Sequence, residues 1–187
     1  KGNLLGGPNI AAKSMHSTWD LLLNRKINHF SMGVVPDAKY LAQWSNSLQK
    51  LAESSRLGIP VSISTDPRHG IYNFLGPELT GGEWSRWPEP IGLAATGDSV
   101  LAYDFGKIVN TEYRAVGIRA ALHPMADLAT EPRLARINGT FGEDARLSAK
   151  MVAAYILGLQ GDTLGIKSVA CMTKHWPGGG PQEKGED

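Results

Sequence analysis

Lys174 and His175 stand side by side directly after residues 168–173, a run of small and β-branched side chains that predicts a buried strand. A cation and an imidazole at a strand end, followed by the glycines at 178–180, suit a ligand pocket, because both groups donate hydrogen bonds and the imidazole can also accept them. Two further predicted strands are followed by polar side chains of the same kind, namely Asp66, Arg68 and His69, and then His123 and Asp127. The sequence therefore predicts that candidate binding groups gather at one end of several strands.

The elements that would position these groups alternate along the chain. Pro36-Asp37 is typical of a helix start, and a glycine closes this helix before the next strand. Asp98 opens another helix, and the acidic pair at 143–144 opens a third with negative charge at the positive end of its dipole. The predicted elements are a helix at 18–26, a strand at 27–31, a helix between Asp37 and Gly58, a strand at 61–65, a helix from Asp98 to Val116, a strand at 118–122, a helix from Glu143 and a strand at 168–173.

Strands that alternate with helices are typical of βα units, in which the strands run parallel and the loops that follow them share one face. Residues 66–97 and 124–142 are two long predicted loops on that face, and loops of this length are uncommon unless they carry function. The pattern leaves two architectures open, a small open sheet and the first half of an eight-stranded barrel, for which about 250 residues are typical.

Composition excludes several classes of partner. Of the 187 residues, 42% are hydrophobic and 20% charged, which is typical of a globular protein. The net charge is +1 and no long basic run occurs, so a nucleic-acid-binding surface has no support. No apolar run approaches the roughly 20 residues of a membrane span. The single cysteine, Cys171, lies inside a predicted strand, which favours a small buried hydrophobe, and no disulfide can form within the chain.

Five motifs occur in order along the chain: LGIPVSISTDPRHG from Leu57, WPEPIGLAA from Trp87, DLATEPR from Asp127, RINGTFGED from Arg136 and KHWPGGG from Lys174. Together they resemble the N-terminal barrel domain of glycoside hydrolase family 3, the β-glucosidase and β-xylosidase group. The resemblance implies an α/β fold of the (β/α)8 barrel type, of which residues 1–187 are roughly the first half, with no second domain in this chain. It also implies a retaining, exo-acting β-glycosidase that hydrolyses terminal non-reducing β-D-glucosyl or xylosyl residues.

The same resemblance assigns roles to individual residues. The family's sugar-binding aspartate falls on Asp66, its arginine on Arg136 and its Lys-His pair on Lys174 and His175. Residues expected to support these four are His69, Asp127, Arg133, Glu143 and Asp144. We expect Asp127 to fix Arg133, and we interpret Glu143 and Asp144 first as a helix start and as structural partners of a loop arginine.

The family's nucleophile and its acid/base are expected beyond Asp187, so the chain alone is expected to be inactive. This agrees with the chemistry, because retention needs two carboxyl groups about 5 to 5.5 Å apart and the chain offers no obvious pair. Arg133-Leu-Ala-Arg136 departs from the family's Arg-Trp-Gly-Arg, which puts the shape of this loop in question. The glycines at 178–180 lack the Gly-His-Gly of the β-N-acetylglucosaminidase branch, which favours a glucosidase or xylosidase.

The implied partners are a β-linked oligosaccharide or glucoside and the remainder of the barrel and C-terminal domains of the same enzyme, with no cofactor, metal, nucleic acid or membrane. The family is often secreted or periplasmic. Two other functions stay open: a non-catalytic carbohydrate-binding module, and a metal-dependent barrel hydrolase. For the second, carboxylate and imidazole groups that follow strands would hold the metal, namely Asp66, His69, His123 and His175.

Overall fold

Four parallel strands form a single sheet in the computed structural model, which describes residues 17–33, 37–70, 83–179 and 182–186. They are β1 (His29–Met32), β2 (Ser62–Thr65), β3 (Ala120–Ala121) and β4 (Ala170–Cys171), and each pairs with the next along the chain. The predicted parallel order is thereby confirmed. Because every strand runs the same way, the segments that follow β1 to β4 leave the sheet at one edge.

The helices are α1 (Thr18–Leu23), α2 (Ala38–Glu53), α3 (Pro90–Ala95), α4 (Ser99–Ala115) and α5 (Ala145–Gln160). Three of them begin where the sequence predicts, because an aspartate carboxylate accepts a hydrogen bond from a backbone N–H of the first turn. Asp37 caps α2 in this way, Asp98 caps α4 and Asp144 caps α5, with distances of 2.9, 2.8 and 2.7 Å respectively.

Two details differ from the prediction. The pairing that defines β3 and β4 covers two residues each, although the extended hydrogen bonding continues beyond it, from Leu122 N to Thr65 O (2.9 Å) and from Met172 N to Ala121 O (2.8 Å). Residues 66–97 are not loop throughout, because Pro90 starts the short helix α3. Proline is favoured in the first turn of a helix, so this signal was present in the sequence.

The core lies between the sheet and the helices that cover it. Trp44 and Leu48 of α2 are buried against strand residues such as Ile63. Helices α4 and α5 pack closely where Gly106 meets Gly158, since a Cβ on Gly158 would meet the backbone of Tyr103. This close crossing fixes the position of α4 relative to α5, and both helices carry tyrosines that point to the end of the sheet.

No helix in the described part of the chain is both long enough and apolar enough to span a lipid bilayer.

Candidate functional site

Asp66 and Lys174 meet at the edge of the sheet where the strands end, although 108 positions separate them in the chain. The Nζ atom of Lys174 donates to Oδ1 of Asp66 at 2.6 Å, and the two side chains are 27% and 32% exposed. Asp66 directly follows β2, and Lys174 follows β4 by three residues. The sequence prediction that these two residues come together is consistent with this contact, and their partial exposure leaves them within reach of a ligand.

The backbone after β3 brings Lys174 to this position. Lys174 N donates to Pro124 O at 3.1 Å, and Ala126 N donates to Lys174 O at 2.6 Å, which pairs residue 125 with residue 174 in a further parallel bridge. The peptide between Lys174 and His175 is cis. The hydrogen bonds of Lys174 with Pro124 and Ala126 hold the segment after β4 against the segment after β3, beyond the end of both strands.

His175 is oriented by Asp127, a carboxylate that is 3% exposed. Asp127 Oδ2 accepts from His175 Nδ1 at 2.6 Å, while Oδ1 accepts from the backbone N–H groups of His175 (3.2 Å) and Gly179 (2.6 Å). Burial raises the pKa of Asp127, but these hydrogen bonds outweigh it and hold the pKa below its usual value. A carboxylate that accepts from Nδ1 fixes the proton there, so Nε2 is the ring nitrogen left to meet a ligand.

The expectation that Asp127 fixes Arg133 is wrong. Arg133 instead contacts Glu131 through Nε and Nη2, both at 2.8 Å, on the surface of the loop. The carboxylate of Asp127 instead accepts hydrogen bonds from His175 and from the turn that follows it. Asp127 is thus a direct partner of His175, a candidate binding residue.

Arg136 lies at the start of the single helical turn Ile137–Gly139, in the loop after β3. This turn passes next to Met125, because a Cβ on Gly139 would lie 3.5 Å from the Met125 side chain, and residue 125 pairs with Lys174. Arg136 is half-buried in a neighbouring part of the same loop. Leu134, which stands where the family motif has tryptophan, is buried.

His69 and His123 are buried, and neither takes part in the ion pair of Asp66 and Lys174. His69 Nε2 contacts Glu112 Oε2 at 2.9 Å, and burial, opposed by Glu112, lowers its pKa. His123 lies between the hydroxyls of Tyr113 and Tyr155. Burial lowers the pKa of His123 to about 3, so this ring is neutral at ordinary pH.

Of the two acidic residues interpreted as a helix start, one caps the helix. Asp144 caps α5, and Glu143 before it is exposed.

Arg68 has a structural role that the sequence did not single out. Its buried side chain donates from Nε to Thr65 Oγ1 at 2.7 Å. Its Nη2 donates to Met32 O and, at 2.9 Å, to Gly33 O. Arg68 ties the end of β1 to the end of β2, and its place two residues after Asp66 was the available signal.

The four residues of the metal-site hypothesis do not converge. His69 and His123 have other partners, and Asp66 is paired with a cation, which would oppose a metal ion. Within residues 17–33, 37–70, 83–179 and 182–186, no group of three or more His, Cys, Asp or Glu side chains is arranged to hold a metal.

A separate groove of about 390 Å³ lies between α2 and the last turn of α4. Its lining includes Val61 and Arg119, which precede β2 and β3, so the groove is at the opposite end of the sheet from Asp66. Ligands of parallel α/β sheets bind at the carboxyl ends of the strands, which favours the Asp66 end as the functional one.

The model of the glycosyl hydrolase family 3 N-terminal domain matches residues 9–186. The chain belongs to glycosyl hydrolase family 3. Beta-glucosidase C of Emericella nidulans is 47% identical over 183 residues, which are 97% of this chain and 30% of that protein. A periplasmic beta-glucosidase/beta-xylosidase of Dickeya chrysanthemi is also 47% identical and matches 95% of this chain and 27% of its own length.

Solved family 3 structures share the fold. A family 3 beta-N-acetylglucosaminidase from Paenibacillus superposes with a TM-score of 0.75 at 27% identity, over 90% of this chain and 30% of that one. The chain thus spans less than a third of the length of the family 3 relatives named here. The (β/α) barrel architecture expected from the sequence is thereby confirmed, and the described residues of this chain contribute four parallel strands.

Proposed function

We propose that this chain supplies sugar-binding residues of a retaining, exo-acting β-glycosidase that removes terminal non-reducing β-D-glucosyl or xylosyl residues. Asp66, Arg136, Lys174 and His175 bind the terminal sugar. The nucleophile and the acid/base belong to a part of the enzyme outside this chain, and the remainder of the barrel completes the pocket.

The observation that carries the proposal is the partly exposed pair of Asp66 and Lys174 at the carboxyl end of a parallel sheet. A carboxylate accepts at about four lone-pair positions and an ammonium donates three N–H bonds. The contact between Asp66 and Lys174 uses one of each, so the pair can bind neighbouring sugar hydroxyls without separating. Charge-assisted hydrogen bonds that tighten as the ring flattens toward an oxocarbenium ion would lower the barrier as well as bind the sugar.

His175 adds a third polar group next to this pair. Its Nδ1 is occupied by Asp127, so Nε2 accepts a hydroxyl proton when the ring is neutral and donates when it is protonated. Arg136, in the loop beside residue 125, would supply a second cation to the same sugar. Together the four groups offer both donors and acceptors, as a polyhydroxylated ring requires.

The sugar class rests on the relatives. The two 47%-identical relatives described above are named as beta-glucosidases, one of them also as a beta-xylosidase. We therefore propose a glucoside or a xyloside as substrate in preference to an N-acetylglucosaminide, in keeping with the absence of histidine among the glycines at 178–180.

The test uses the full-length enzyme that contains this chain, with aryl β-glucoside and aryl β-xyloside substrates. Hydrolysis by the full-length form but not by residues 1–187 supports the proposal. Asp66→Asn and Lys174→Met should each lower kcat/KM about a hundredfold, since each removes charge-assisted hydrogen bonds worth about 1.5 to 3 kcal/mol apiece.

Asp162→Asn and Lys167→Met are the matched controls, because both residues are exposed in the turn after α5. Unchanged urea unfolding in all four variants would separate lost binding from lost structure. Full activity of Asp66→Asn would refute the site, and sugar binding without hydrolysis by both forms would favour the carbohydrate-binding module.

A further inference from the structure

A continuous series of hydrogen bonds runs from α5 through α4 to the backbone of Asp66. The Tyr155 hydroxyl lies 3.0 Å from His123 Nδ1, and His123 Nε2 lies 3.1 Å from the Tyr113 hydroxyl. The Tyr113 hydroxyl in turn donates to the carbonyl oxygen of Asp66 at 3.3 Å. We call Tyr155, His123 and Tyr113 the tyrosine–histidine chain. It ends on the residue whose carboxylate contacts Lys174.

With His123 neutral, one arrangement of protons satisfies all three contacts. A carbonyl oxygen cannot donate, so the single hydroxyl proton of Tyr113 points to Asp66, and the Tyr113 oxygen must accept from His123 Nε2–H. A neutral imidazole carries one proton, which leaves Nδ1 as an acceptor for the hydroxyl proton of Tyr155. The direction of every bond is thus set from α5 toward Asp66.

The surroundings hold this arrangement in place. All three side chains are buried, and the ring of Phe105 stacks on that of Tyr155 at a centroid distance of 5.1 Å. Burial lowers the pKa of His123 to about 3 and raises the pKa of both tyrosines, so no member changes its charge near neutral pH. A buried polar group left without a partner is costly, so the three members depend on one another.

We propose that the tyrosine–histidine chain is a positioning device for the substrate pocket, through which Tyr155 of α5 sets the backbone of the sugar-binding residue Asp66. This rests on the function proposed above. Tyr155 does not contact Asp66, and its effect passes through two intervening hydrogen bonds. The device couples the packing of α5 against α4 to the placement of the carboxylate that meets the sugar.

Loss of the Tyr155 hydroxyl is the sharpest perturbation, because it removes one atom and keeps the ring. Without its donor, His123 Nδ1 has no partner, and the opposite tautomer competes. In that tautomer Nε2 accepts from Tyr113, whose proton then no longer reaches the Asp66 carbonyl. Tyr155→Phe should therefore weaken the hydrogen bond from the Tyr113 hydroxyl to the Asp66 carbonyl, in which Tyr155 takes no part.

The primary test is NMR spectroscopy of the full-length enzyme with isotope-labelled histidine and aspartate, which does not depend on enzymatic activity. Long-range ¹H–¹⁵N spectra should show a protonated Nε2 and an unprotonated Nδ1 for His123, unchanged from pH 8 to pH 5. In Tyr155→Phe the ¹³C carbonyl resonance of Asp66 should move toward its position in Tyr113→Phe. The control Tyr103→Phe, on the exposed side of α4, should leave it unchanged.

The proposal would be overturned if His123 had the opposite tautomer in the wild type. It would also be overturned if the Asp66 carbonyl resonance did not move in Tyr155→Phe. Both readouts are chemical shifts that report protonation and hydrogen bonding, so they stand whether or not the protein proves to be a glycosidase. The wild-type tautomer also needs no variant, which protects the test against a variant that fails to fold.

Activity of the full-length enzyme provides the second readout. Tyr155→Phe should lower kcat/KM about fivefold, the equivalent of one neutral buried hydrogen bond. If Tyr155 acts through Tyr113, the double variant Tyr113→Phe/Tyr155→Phe should be no less active than Tyr113→Phe alone. Additive losses would mean that Tyr155 merely stabilises α5, and would refute the positioning role while leaving the proposed function intact.

Discussion

Replacement of Asp127 by asparagine tests how the fold orients His175. Asparagine keeps the volume, and its oxygen can still accept from the backbone N–H groups of His175 and Gly179, which both meet Oδ1 in the wild type. Its NH₂ group would then face His175 Nδ1, from which the wild-type carboxylate accepts a hydrogen bond. Two donors cannot bond to each other, so His175 should change to the tautomer with its proton on Nε2.

The magnitude follows from these contacts. The bond from Nδ1 is charge-assisted and worth about 2 kcal/mol, and two backbone bonds to a charged acceptor become bonds to a neutral one, at about 0.5 to 1 kcal/mol each. Asparagine also removes a buried charge, which offsets part of the lost stability, because burial alone disfavours the carboxylate. We expect Asp127→Asn to lower the free energy of unfolding by about 2 kcal/mol.

The pH dependence gives a second check. Because the pKa of Asp127 is lower in the fold than in the unfolded chain, its contribution is complete above the unfolded pKa of about 3.9 and is lost as the pH falls through the folded value. The difference between wild type and Asp127→Asn in urea unfolding should therefore shrink as the pH falls below about 4. Asp162→Asn, in an exposed turn, is the control.

In the full-length enzyme, the altered tautomer should lower kcat/KM at least tenfold, since a wrongly placed imidazole proton is known to impair catalysis severely. The ¹⁵N spectrum of His175 reports the tautomer directly. An unchanged tautomer together with wild-type stability would refute the assigned role of Asp127.

Other perturbations follow from the same structure. Gly158→Ala should destabilise the fold by about 1 to 3 kcal/mol in urea unfolding, although alanine favours helices, because its Cβ would meet backbone of α4; Gly165→Ala, in open space, should be neutral. The pKa of His123, lowered to about 3 by burial, means that the unfolded chain takes up a proton near pH 6.5 and the fold does not. Stability should therefore fall below pH 6.5 by up to about 1.4 kcal/mol per pH unit, a slope that His123→Gln should reduce. Trp176→Ala should change the free energy of unfolding by less than about 0.5 kcal/mol, because this side chain is 94% exposed.

Local chemistry made the helix starts predictable, and long-range pairing made the supporting contacts unpredictable. Asp37 and Asp98 cap their helices through bonds to residues two or three positions away, which a sequence displays directly. That Asp66 lies near Lys174 follows from topology, since both follow parallel strands of one sheet. Which partner Asp127 selects among residues up to 52 positions away depends on the turn at Gly179, and no periodicity encodes it.

The tyrosines of α4 and α5 illustrate the same limit. Tyr113 and Tyr155 lie on the apolar faces of their helices, where an aromatic residue normally indicates core packing. Their hydroxyls acquire a further role only because Gly106 and Gly158 let the two helices approach until both hydroxyls reach His123. The sequence contains each residue, but the coupling arises from the helix crossing.

The groups proposed to bind the sugar and the groups that hold them differ in exposure. The groups proposed to meet the sugar, Asp66, Lys174 and His175, are partly exposed, whereas the groups that hold them, Asp127 and Tyr113, are buried. Because an exposed ion pair contributes little to stability, Lys174→Met should cost activity far more than unfolding free energy. Replacement of a buried partner leaves polar atoms unsatisfied and costs both activity and stability. Asp127→Asn should therefore lower kcat/KM and the free energy of unfolding together. The ratio of the two losses, measured for each residue in the full-length enzyme, therefore separates the groups that bind the sugar from those that position them.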